Sequence, residues 1–112
     1  AYLKSNRDTV KNAMKGYLEA IQFIHANKPE SQKVFAKYMR TNDPEVLETS
    51  YQNYVKTLQR KPAFTPKGIQ LILDMLAAQM PQGKTAKPEQ FFDASLMNEL
   101  EKEGFIDRIY KQ

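Results

Sequence analysis

Asn42-Asp43-Pro44-Glu45-Val46-Leu47-Glu48-Thr49-Ser50-Tyr51 carries three helix-start signals in a row. Asp43 is a good N-cap, because its carboxylate can accept from amides that have no partner in the first turn. Pro44 suits the first helical position, where its missing donor costs nothing. Glu45 adds negative charge where the helix dipole favours it. Val46, Leu47, Ser50, Tyr51, Tyr54, Val55 and Leu58 then recur at spacings of three and four, which is one face of a helix.

The same grammar reads outward in both directions. Upstream, Pro29 and Glu30 open a helix through Val34, Phe35, Tyr38 and Met39 that should stop near Arg40 to Asn42. Before it, Asn6 is a plausible cap with Asp8 in the first turn. Val10, Ala13, Met14, Tyr17, Leu18, Ile21 and Ile24 predict a helix from about residue 7 to 26. Lys15 and Glu19, four apart on its polar face, add a minor stabilising pair.

Downstream, Arg60 to Phe64 contains Pro62 and should be extended or a loop. Thr65-Pro66 is again a cap followed by proline, and the helix should run from Pro66 to Met80. It is apolar over most of its circumference, with Gln70, Asp74 and Gln79 the only polar positions after Gly68. A helix of that kind wants neighbours on several sides. Pro81 to Pro88 reads as a loop. Asp93 should cap a helix through Leu96, Met97 and Leu100 to about Glu103, and Gly104 fits the left-handed position after it. Phe105, Ile106, Ile109 and Tyr110 form one more short helical or extended piece. No segment alternates apolar and polar for long, so no strand is expected. The expectation is an all-α chain, a small bundle of about five helices.

The 112 residues suit one domain that buries roughly two-thirds of its unfolded surface. A hydrophobic share of 41% argues against wholesale disorder, and no apolar run reaches the ~18 residues a membrane span needs. Without cysteine there are no disulfides, thiolate metal sites or cysteine nucleophiles. The chain starts at Ala1, without an initiator methionine and without a basic start leading into an apolar stretch, so a processed, trimmed or excised chain is expected. The net charge of +4 is uneven: residues 1–62 carry 11 basic and 6 acidic side chains, residues 63–112 carry 6 and 7. The excess is spread out rather than clustered, which disfavours a nucleic-acid surface. Arg60-Lys61 reads as a solvated loop.

Candidate chemistry is sparse. His25, the one histidine, sits in the last turn of its helix, and no metal-ligand spacing surrounds it. Glu99, Glu101 and Glu103 crowd one short helix, and Glu99 and Glu103, four apart, read as a solvated face. Ser5, Ser31, Ser50 and Ser95 have no nucleophile motif around them. Gly16, Gly68, Gly83 and Gly104 are scattered and cradle no phosphate. Tyr38, Tyr51 and Tyr54 read as core residues with hydroxyls at the edge. The five methionines read as gap filler on the apolar stripes. No catalytic residue, metal site or cofactor is expected.

Several stretches taken together resemble a known family. They are Ser5-Asn6-Arg7-Asp8-Thr9-Val10, Tyr17-Leu18-Glu19-Ala20-Ile21, His25-Ala26-Asn27-Lys28-Pro29-Glu30, Phe35-Ala36-Lys37-Tyr38, and the Asp43 to Tyr51 run. Pro66-Lys67-Gly68-Ile69-Gln70 with Leu73-Asp74, and Lys87-Pro88 through Phe92-Asp93-Ala94-Ser95-Leu96 to Gly104-Phe105-Ile106-Asp107, complete the series. In this order they resemble the late part of the nitrate/sulfonate/taurine and thiamine-precursor group of periplasmic substrate-binding proteins of ABC importers. Arg7 stands where that family often has proline, and Lys28 is an insertion before Pro29.

The resemblance implies that residues 1–112 are the C-terminal helical segment of a two-lobed α/β receptor, with lobes and hinge encoded upstream. It implies a non-enzymatic protein, periplasmic or anchored at the cell surface, that captures a small solute and presents it to a membrane permease. No ligand-binding residue can be carried over. In isolation the 66–80 helix is expected to cover its surplus face by self-association. A self-contained helical protein-interaction module is the alternative.

Overall fold

The structure, a computed structural model, describes residues 2–111; residues 1 and 112, the ends of the expected segment, lie outside the described residues. The described residues form seven α-helices and no strand: α1 (Tyr2–Ser5), α2 (Arg7–Ala26), α3 (Lys28–Met39), α4 (Pro44–Thr57), α5 (Pro66–Leu76), α6 (Ser95–Lys102) and α7 (Phe105–Tyr110). Two 3-10 turns follow: Pro81–Lys84 lies in the stretch read as a loop, and Pro88–Gln90 begins at its last residue. The all-α expectation holds. The count exceeds five because α1 and α7 are single short pieces.

Most boundaries follow the start signals. Asp43 Oδ1 accepts from the amides of Glu45 and Val46 at 2.9 and 3.4 Å, and Thr65 Oγ1 accepts from the Gly68 amide at 3.1 Å. Three positions depart from expectation. Asn6 precedes α2 but makes no side-chain cap; its Nδ2 donates back to the Tyr2 carbonyl at 3.2 Å, because α1 already offers an acceptor there. The α5 helix ends at Leu76, four residues short of Met80. Pro81 disfavours helical geometry at the residue before it, and Met80 is extended at φ −125°, ψ 106°. At α6 the cap moves by one: the Ala94 carbonyl accepts from the Asn98 amide at 3.0 Å, and Asp93 Oδ1 accepts from the Ser95 amide at 2.8 Å.

Two residues bend the chain through the left-handed region. Gly104 at φ 70° ends α6 as expected. Arg40 at φ 55° ends α3, with the Thr41 amide reaching back to the Ala36 carbonyl at 3.2 Å.

Length suggested one domain, yet the chain divides into two compact units, residues 1–62 with 100–112, and residues 63–99. In the first unit α2, α3 and α4 pack on one another and α7 packs on α2. Its core is Leu18 and Ile21 of α2, Ser31 of α3, Tyr51 of α4, Leu100, and Ile106 and Ile109 of α7, all buried. In the second unit α5 packs against the two 3-10 turns, with Leu73 and Leu96 buried. The approach is close at Gly83, where an added Cβ would lie 3.1 Å from the Leu73 carbonyl and the Ala77 nitrogen. A side chain there would need the turn or the end of α5 to give by a few tenths of an ångström.

Candidate functional site

The most organised polar chemistry lies on the hairpin of α3 and α4. Lys28 and Gln32 lie one helical turn apart on α3, and Glu48 and Gln52 one turn apart on α4. The hairpin brings the four together. Lys28 Nζ donates to Glu48 Oε1 at 2.7 Å, Gln32 Nε2 to Oε2 at 2.9 Å, and Gln52 Nε2 to Oε1 at 2.9 Å. The hydrogen bond from Lys28 does most to hold the Glu48 carboxyl down at about 2, the two amides add to it, and partial desolvation works against it. Lys28 also stands 5.5 Å from the centre of the Tyr51 ring.

Beside this network the hairpin is tied through its aromatics. The rings of Phe35 and Tyr54 are 5.0 Å apart and tilted. Tyr51 donates its hydroxyl to the Ile24 carbonyl at 2.9 Å, and a ring nitrogen of His25, Nε2, lies 2.9 Å from the Leu58 carbonyl. Tyr51 is therefore the edge-satisfied core tyrosine that was expected, and His25 closes the end of α4. Tyr54 and Tyr38 are not core residues. They are 46% and 76% exposed, and Tyr54 keeps one face on Phe35.

The outer side of α4 carries two open hollows. One, of about 290 Å³, is lined by Asp43, Glu45, Val46, Thr49 and Ser50. The other, of about 320 Å³, is lined by Met39, Ser50, Asn53, Tyr54 and Thr57. Ser50 borders both, so they form one shallow trough along the helix. Its walls offer two carboxylates, hydroxyls, an amide, one exposed ring and a thioether. The Thr57 hydroxyl is engaged with the Asn53 carbonyl at 2.7 Å.

Other expected sites are dispersed. Glu101 and Glu103 stay on the surface, and each carries an ion pair there: Glu101 with Lys61, and Glu103 with Lys11. Arg60 is not simply a solvated loop cation, since its guanidinium lies 4.5 Å from the centre of the Tyr110 ring. These contacts tie Glu101, Glu103 and Tyr110 to the earlier helices and loop of the first unit. The sequence signal for them was weak, because each pair is separated by 40 or more positions. Lys28, Gln32, Glu48 and Gln52 had a readable signal, two one-turn spacings on consecutive helices. Of the serines, Ser50 borders the trough and Ser31 is buried, its hydroxyl without a hydrogen-bond partner among the described residues. Met39, Met75 and Met80 are about half exposed or more, so they fill no gap in a core.

Among the described residues no group of three or more histidines, aspartates or glutamates gathers as a metal site, and no helix is long and apolar enough to cross a membrane. Fold and surface together define an all-helical chain whose organised feature is the α3–α4 hairpin. No family model, curated protein or solved structure matches the chain.

Proposed function

We propose that this chain is the helical part of a solute receptor of an ABC importer. In this reading the parent captures a small solute of the sulfonate, nitrate, taurine or pyrimidine-precursor class and hands it to a membrane permease. The chain is not an enzyme, and it works in the periplasm or anchored to the cell surface. Its helices are scaffold for one lobe of a two-lobed fold whose closure on ligand does the work.

One observation carries the reading. The motif-bearing segments that resemble the receptor family follow one another in the family's order. The start signals within them coincide with helix starts: Arg7 of α2, Pro44 of α4 and Pro66 of α5. The α3–α4 trough favours the alternative, a self-contained helical interaction module, since it offers a lined surface without any upstream lobe.

The open reading frame separates the two. The receptor reading expects a signal peptide and an α/β region encoded ahead of Ala1. The product of that frame should melt at a higher temperature with one of the named solutes, while residues 1–112 alone show no shift with any of them. A frame encoding these residues alone would overturn the receptor reading. So would a clear ligand-dependent rise in the melting temperature of the 112-residue chain.

A further inference from the structure

The second unit buries one side of α5 and leaves the other bare. Leu73 is 5% exposed, whereas Leu71, Ile72, Met75 and Leu76, with Met80 just beyond the helix, are 42% to 70% exposed. At one hundred degrees per residue, Gly68, Leu71, Ile72, Met75 and Leu76 fall on a single face, with Ile69 and Leu73 turned away from its centre. The four exposed apolar side chains of this face offer on the order of 450 Å² per copy, within the range for the largest patch on a typical monomer. Two copies would bury at most ~900 Å², the size of a weak, transient interface rather than a permanent one.

The charges flanking this face are arranged for self-pairing. Lys67 and Asp74 lie seven residues apart on the same flank, next to Leu71. No ion pair joins Lys67 to a described residue, and Asp74 accepts only a neutral hydrogen bond, from Gln70 Nε2 at 2.8 Å. In an antiparallel pair of identical helices, equivalent flanks face each other. A two-fold axis near Leu71 therefore brings Lys67 of each copy opposite Asp74 of the other, twice. A parallel pair, in register, would not join them. An open groove of about 510 Å³ runs along this flank, bordered by Thr65, Lys67, Gly68, Gln70, Leu71 and Asp74. Gly68 leaves that groove without a side chain at its middle, where Leu71 of a second copy can enter.

We infer that α5 is the self-association surface of this protein, pairing antiparallel with α5 of a second copy through Leu71, Ile72 and Met75, with reciprocal Lys67–Asp74 ion pairs. The inference rests on α5 alone and does not depend on the receptor reading. The modest area sets the dimer dissociation constant in the micromolar range.

Sedimentation equilibrium of the 112-residue chain, from ~5 µM to ~500 µM, tests it. The expected result is a reversible monomer–dimer equilibrium. Met75→Lys should remove dimerisation over that range. Lys67→Asp and Asp74→Lys should each raise the dimer dissociation constant about threefold or more, since each reversal places two like-charged pairs across the interface. The double variant should return it close to the starting value. Both reversals are at exposed positions, so they keep the test open even if Met75→Lys unfolds the unit. A chain that stays monomeric to 500 µM overturns the inference. So does a dimer indifferent to Met75→Lys, or one that the double reversal fails to restore. A monomer whose α5 amides gain hydrogen-exchange protection only on adding phosphatidylcholine vesicles would also overturn it, in favour of a lipid surface.

Discussion

The helices α4 and α5 open with the same device and end in opposite circumstances. Each has an oxygen-bearing cap followed by proline, Asp43-Pro44 and Thr65-Pro66, and in each the cap oxygen accepts first-turn amides. Yet α4 packs Tyr51 into a core and surrounds Glu48 with three donors. The helix α5 buries Leu73 and leaves Leu71, Ile72 and Met75 bare. A start signal is local and acts within one turn. What covers a helix depends on which other segments reach it. The first unit brings α2, α3 and α7 together, while the second gives α5 only two short 3-10 turns.

The contrast can be broken most forcefully by truncating one large side chain on each helix. Tyr51→Ala deletes a ring that is 7% exposed and its hydrogen bond to the Ile24 carbonyl. It should cost about 3–5 kcal/mol, the range for emptying an aromatic site in a core. Met75→Ala, at a position 70% exposed, should stay within about 0.5 kcal/mol, provided the chain is dilute enough to be monomeric. Urea unfolding followed by circular dichroism measures both. Equal losses would mean that α5 is covered in solution and α4 is not uniquely packed.

A smaller effect separates the two caps. Asp43 serves two amides and Thr65 one. Asp43→Ala should cost about 1–2 kcal/mol and Thr65→Ala about 1 kcal/mol or less. Hydrogen exchange at Val46 and at Gly68 reads each loss where it occurs. If Thr65→Ala proves the costlier, the first turn of α5 has support other than its cap.

Helix identity was legible in this sequence because its signals are chemical and adjacent. A carboxylate or hydroxyl, then proline, then an apolar repeat fixes α4 and α5 without reference to the rest of the chain. Pro81 marks Met80 as non-helical, but the apolar pattern continues past Leu76 through Ala77, Ala78 and Met80, so the earlier end of α5 was not legible. Contacts made across distance were not legible. Lys11 meets Glu103 and Arg60 meets Tyr110 only because α7 returns to the first unit. Charge and ring alone do not announce such partners. The division into two units was hidden for the same reason, since it depends on where α5 finds neighbours. The Glu48 network was half visible, as matched one-turn spacings on α3 and α4, but a spacing does not say which faces meet.

The smallest expected effect tests whether that network belongs to the folded hairpin. Glu48 titrates near 2 when folded, against an ordinary value of 4.5, chiefly because of its hydrogen bond from Lys28. A carboxyl with a depressed folded value adds stability that is complete above its ordinary value and is lost as the pH falls towards the folded one. The stability difference between the parent chain and Glu48→Gln should therefore be constant from neutral pH down to about 5. It should shrink between about 4.5 and about 2. Other carboxyls titrate in both proteins and cancel in the difference. The pair is half exposed, so the gap itself should be small and should narrow further in ~1 M salt, where the screening length falls to about 3 Å. Urea midpoints at pH 6, 4 and 2.5 give the three points required. A gap as wide at pH 2.5 as at pH 6 would show that Glu48 is not held by Lys28 in solution. The hairpin would then be held by its other contacts, among them Phe35 on Tyr54 and Gln32 on Glu48.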